Sequence, residues 1–161
     1  MNTLYKHSST IIKVVLTAVL IGFLVIVYGQ ANAKDVPMKT IDHAFRTQTQ
    51  ITRMHRCTSR ELMEFMGIDA SQYEGFMYYK SKNALGVAEV LVLKAHKGQA
   101  LNGAEDAAES RIDSQTHTFE SYGPAQVAML KNAIVLKKGQ YLFYCTAKNP
   151  DTYEEVFNHV I

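Results

Sequence analysis

The rhythm of apolar positions changes along this chain, and each rhythm predicts a different element. Ile41 and Phe45, followed by Gln48 and Ile51 or Thr52, fall at helical spacing in a thin stripe, which predicts a helix over 36–51 with Pro37 near its first turn. Residues 52–58 are polar and basic and read as a connection. Ser59 can cap a short second helix in which Leu62, Met63 and Met66 form an apolar side and Gly67 is the stop. After Asp69 the pattern becomes extended. Residues 73–81 (YEGFMYYKS) and 87–95 (VAEVLVLKA) read as strands, joined through turn residues at 81–86.

Helical spacing returns from Leu101. Leu101, Ala104, Ala108, Ile112, Gln115, Phe119 and Tyr122 share a side, while most of the acids fall elsewhere. Gly123-Pro124 ends that helix and Pro124 starts a short one through Lys131. Residues 133–137 and 140–147 are strands around a tight turn at Lys138-Gly139. Asn149-Pro150-Asp151 opens a last helix, with Tyr153, Val156, Phe157 and Val160 on its apolar face. The order β-β-α-β-β-α, preceded by one or two N-terminal helices, predicts an α+β fold. Its expected form is a four-stranded antiparallel sheet built from two hairpins, with helices packed on one face.

The N-terminal rhythm is different in kind. Lys6 and Lys13 precede an unbroken apolar run, Val14–Tyr28, and the chain leaves it through Ala31-Asn32-Ala33. A basic start, an apolar core and a small-x-small exit make an export signal, with cleavage expected after Ala33. The run has fifteen residues, against roughly 20 for a helix that crosses a bilayer. Ile11 and Ile12 lengthen it if Lys13 snorkels, so an uncleaved anchor stays open. The lysines lie on the N-terminal side and no acid precedes Asp35, so the remainder is expected outside the cytoplasm, secreted or held on the outer face of the membrane. The expected organisation is a signal or anchor over 1–33, a membrane-proximal helix and linker over 34–58, and a globular domain over 59–161.

Charge narrows the partners. Lys6 and Lys13 are the only charged residues before Lys34, so 15 of the 17 basic residues follow and match the 15 acidic ones. A neutral domain lacks the excess of positive charge that nucleic-acid binding requires. Arg46, Arg53, Arg56 and Arg60 are nevertheless close together in sequence. They read either as a solvated surface balanced by Asp42, Glu61 and Glu64, or as a contact for anionic headgroups or wall polymers.

Four segments carry a family resemblance: Leu62–Asp69 (LMEFMGID), Val87–Ala95, Arg111–Val127 (RIDSQTHTFESYGPAQV) and Ala133–Tyr144 (AIVLKKGQYLFY). In these the chain resembles an uncharacterised family of small signal-anchored or lipoprotein-like extracytoplasmic proteins, mainly of Gram-positive bacteria and catalogued as a domain of unknown function. The resemblance covers most of 59–161 and implies a shared fold. It implies no catalytic residues.

Chemistry is sparse. The sequence contains no HExxH, GxSxG, SxxK or glycine-rich phosphate loop, so no catalytic residue, metal ligand set or cofactor is expected. His55 and Cys57 are two apart, a weak metal signal in a polar loop. Asp113 and His117 are spaced i, i+4 and could orient an imidazole, or could be solvated surface. Cys57 and Cys145 could form a disulfide in an exported protein or remain separate thiols. Lys94 ends an apolar strand, either to meet a ligand anion or to reach water. Both alternating sets of strand residues are apolar or aromatic. Tyr78, Tyr141 and Tyr144 therefore belong either to a second face covered by the N-terminal helices or to an exposed binding face. The reading this favours is a non-enzymatic interaction domain of the cell envelope, binding a protein partner or itself through those tyrosines. A small-ligand or wall-polymer binder is the alternative and an envelope hydrolase the second.

Overall fold

The structure, a computed structural model, describes residues 12–23 and 33–161. Residues 12–23 are helical and carry exposed apolar side chains such as Val14, Leu16 and Phe23. The rest of the apolar run and the alanine at 31 lie outside the described residues. No helix among the described residues is long and apolar enough to cross a membrane.

From Ala33 onward the elements are α1 (Met38–Gln48), β1 (His55–Arg56), α2 (Ser59–Met66), β2 (Gly75–Lys80), β3 (Glu89–Lys94), α3 (Asn102–Phe119), α4 (Pro124–Lys131), β4 (Ile134–Lys138), β5 (Tyr141–Thr146) and α5 (Pro150–Val160). The fold is α+β, as expected. The sheet has five antiparallel strands rather than four, in the order β1-β2-β3-β5-β4. The added strand is β1, which pairs His55 with Lys80 and Arg56 with Tyr79. Two polar residues between turns carry no alternation, so their pairing is dictated by β2 and not by their own pattern. Both expected hairpins form. β2 pairs with β3 from Gly75↔Lys94 to Lys80↔Glu89, and β4 with β5 around Gly139, whose φ of 57° suits a residue without Cβ.

Helices cover both faces of this sheet, not one. On the first face Ile41 and Phe45 of α1 and Val156 and Phe157 of α5 close over Met77, Tyr79, Val90, Val92, Tyr141, Phe143 and Cys145. On the second, Leu62 and Met66 of α2 and Ala104 and Ala108 of α3 close over Tyr78, Leu91, Leu93, Leu142 and Tyr144. This is why both alternating sets of β3 and β5 are apolar: every residue of the two strands is buried. The helix over 38–48 is thus part of the main core, and the packing does not divide at residue 58.

Local chemistry sets the element ends. Thr58, not Ser59, caps α2: its hydroxyl accepts from Glu61 N–H while Glu61 Oε2 accepts from Thr58 N–H at 2.7 Å. Gly67 then closes the helix in the left-handed region with φ 67°. Gly75 lets α1 approach β2, since a Cβ there would lie 2.8 Å from Met38 Cγ.

Candidate functional site

The expected binding tyrosines are core residues. Tyr78, Tyr141 and Tyr144 have no exposed surface. Tyr141 belongs to the first face, where its hydroxyl accepts from Val36 N–H at 2.8 Å and donates to Val36 O at 2.9 Å. Tyr78 and Tyr144 belong to the second face. The binding face drawn from them is corrected accordingly: with helices on both sides, the rings have no route to a partner.

Lys94 is likewise occupied. Its ammonium is 3% exposed and donates to Asp35 at 2.6 Å and to Glu74 at 2.5 Å. Burial alone works against the charge, but the two carboxylates outweigh it and hold the group above the ordinary lysine value. The same hydrogen bond holds Asp35 below the ordinary carboxylate value. Lys94 therefore fastens the 33–36 segment to the sheet.

The possible disulfide between Cys57 and Cys145 does not form. Both are buried free thiols, and they belong to the clusters on opposite faces of the sheet. Burial, and then the charge of Glu61, pushes the Cys57 thiol up to about 12. Burial raises Cys145 further still. Both are protonated at neutral pH and neither is an activated nucleophile. The Asp113–His117 pair is not assembled: exposed His117 instead faces Glu120, Nδ1 to Oε2 at 3.7 Å.

One buried polar cluster escaped the sequence reading. Glu89, 1% exposed, accepts from Arg111 Nη2 at 2.7 Å and Nε at 3.2 Å, from Gln115 Nε2 at 3.2 Å and from Tyr144 OH at 3.2 Å. A lone acid inside an apolar strand was the available signal, because a buried carboxylate needs donors. The Tyr78 hydroxyl and Gln115 Oε1, also buried, have no hydrogen-bond partner among the described residues. The carboxylate is saturated and enclosed, so the cluster ties α3 to the sheet and offers no ligand surface.

Among the clefts of the described residues, one of about 620 Å³ lies between α1 and β2. Its rim carries Lys39, His43 and Arg46 from successive turns of α1 and Arg56 from β1, and its lining includes Met38 and Phe76. The cleft exists because β1 is so short: it covers only the Tyr79–Lys80 end of β2. Asp42 is the acid in it. Its carboxylate accepts from Tyr79 OH at 2.7 Å and lies 3.9 Å from Arg56 Nη2, whose side chain is 60% exposed. Burial and that hydrogen bond push Tyr79 up to about 12, so it stays a donor. Four basic groups thus face one acid already engaged from below. Of the clustered arginines, Arg46 and Arg56 meet here. Arg53 instead bonds Gln50 at 3.0 Å, and Arg60 lies beside Asp69 and Ser71.

With the fold established as an antiparallel sheet between helix layers, comparison with known families places it. Residues 47–147 match the domain of unknown function DUF4358, and the chain belongs to that family. The match spans all five strands and α2 to α4, and stops short of α5 and most of α1. No curated protein and no solved structure matches the chain.

Proposed function

We propose that this protein is an exported, non-enzymatic binding domain of the cell envelope that engages an anionic wall polymer in the cleft between α1 and β2. The observation that carries the reading is the convergence of Lys39, His43, Arg46 and Arg56 around a concave, partly apolar lining. Positive groups on both walls attract a phosphate- or carboxylate-bearing chain, and the cleft supplies apolar contact between charges. Concavity favours a polymer or small anion over a bilayer, because a flat membrane surface cannot enter it. Export is supported by Lys6, Lys13, the apolar run and the Ala31-Asn32-Ala33 exit. The non-enzymatic reading is supported by the unactivated thiols and the enclosed Glu89 carboxylate. Any protein partner or second copy would have to meet a surface other than Tyr78, Tyr141 and Tyr144.

The test uses the full chain in mild detergent, incubated with isolated cell-wall sacculi that retain their phosphate polymer and with sacculi stripped of it. Retention is expected on the first and not the second, and should fall with added salt. Arg46→Gln with Arg56→Gln should weaken retention by about tenfold or more, at about 1 kcal/mol per basic group. Equal retention on stripped sacculi, undiminished binding by the double variant, or capture by anionic vesicles alone would overturn the proposal.

A further inference from the structure

The backbone alternation of β1 separates its neighbours. Arg56 is turned toward the cleft, and His55 and Cys57, two residues apart, are left together on the other side. The cap of α2 then brings Glu61 to the same point. His55 Nε2 lies 2.8 Å from Glu61 Oε1, and one donor atom each from His55, Cys57 and Glu61 all lie within 4.8 Å of one another.

The three groups differ in kind: an imidazole nitrogen, a sulfur and a carboxylate oxygen. That set suits a borderline-soft ion better than magnesium or calcium, which prefer oxygen alone. Donors about 2.0–2.3 Å from a tetrahedral ion stand roughly 3.3–3.6 Å apart, so the His55–Glu61 contact of 2.8 Å has to open, and any pair near the 4.8 Å bound has to close by about 1 Å, within reach of side-chain rotation. Glu61 can do this without losing its structural task, because Oε2 keeps the cap on Thr58 while Oε1 is the oxygen that faces His55. Access also fits. The His55 side chain is 48% exposed and that of Glu61 26%, while Cys57 lies buried behind them.

We propose that His55, Cys57 and Glu61 form a three-ligand site for a thiophilic divalent cation of the zinc type, with its fourth position open to solvent. Binding replaces the Cys57 S–H bond by a sulfur–metal bond, and the thiol proton leaves to water. Nε2 of neutral His55 donates its lone pair, so its ring proton moves to Nδ1. Three protein ligands and one exchangeable position are the arrangement of sites that hold water or a substrate group on the metal.

Cobalt(II) is the direct probe, titrated anaerobically into the full chain in mild detergent and then displaced by zinc. The expected result is a saturable thiolate-to-cobalt charge-transfer band that zinc abolishes. Cys57→Ser should remove the band, and Cys145→Ala, which lies on the other face of the sheet, should leave it. Glu61→Gln retains a capping side chain and should weaken zinc binding about tenfold or more. Exposed His55→Ala should do the same without disturbing the core, with losses of the size seen when metal sites lose a supporting group. Absence of the band, its persistence in Cys57→Ser, or zinc affinity unchanged in both His55→Ala and Glu61→Gln would overturn the proposal.

Discussion

The two faces of the sheet are closed by different physics. On the first, aromatic rings do the work: Phe143 stacks on Phe157 at 4.9 Å and meets Phe45 at 6.3 Å, so α1 and α5 share one apolar seam over β5. On the second, α3 buries little but alanine, Gln115 and Phe119, and its hold on the sheet includes the Arg111–Glu89 pair. An apolar seam is cohesive but tolerant of direction, whereas a carboxylate with four hydrogen bonds fixes α3 in one register. The difference teaches that a buried charge here sets position, while apolar packing supplies cohesion on both faces.

The largest way to break the comparison is Phe143→Ala. It leaves a cavity between α1, α5 and β5 and should cost about 3–5 kcal/mol, read by denaturant unfolding of the full chain. Arg111→Met follows at about 3 kcal/mol, because it strands Glu89 without its cation. The decisive variant is the double one. Glu89→Leu with Arg111→Met should recover most of that loss while loosening α3, seen as faster amide exchange in that helix. If the double variant is no more stable than Arg111→Met, the pair contributes net cohesion and the contrast between the faces fails.

The smallest effect is in acid. Glu61 is held down to about 2 from an ordinary 4.5, chiefly by the Thr58 N–H and then by His55. A lowered folded value means stabilisation that is complete above the unfolded value and lost as pH falls. Unfolding between pH 4.5 and about 2 should therefore include a component from α2. Glu61→Gln should flatten that part of the acid limb, leaving the sheet's own transition in place. An unchanged pH profile would show that the cap contributes nothing measurable.

Much of the fold is legible in the sequence because periodicity and punctuation agree. The two hairpins, α3 and α5 fall within a few residues of their expected places, since Gly139, Pro124 and Pro150 mark ends that the apolar pattern leaves vague. The apolar set on each side of β3 and β5 also carried the signal for a doubly covered sheet, yet it equally fits an exposed patch. Only the docking of α1 and α2 on opposite sides resolves it. The cleft was legible in part, as a cluster of arginines. Which two of them converge depends on β1, whose pairing is set by β2. The Glu89 cluster and the His55–Cys57–Glu61 triangle join residues from different elements through side-chain length, and no period records that.

The segment 34–36 has a mechanical consequence. Lys34 N–H reaches Ile161 O, Asp35 grips Lys94, and Val36 is clasped by Tyr141. Lys94 and Tyr141 belong to β3 and β5, the neighbours at the middle of the sheet. Tension arriving along the chain ahead of Lys34 is therefore delivered to two paired strands inside the sheet. Part of it also reaches the end of α5 through Ile161, while the edge strands β1 and β4 carry none of these hydrogen bonds. A domain wired this way can be pulled by its leading end without first opening the cleft beside β1.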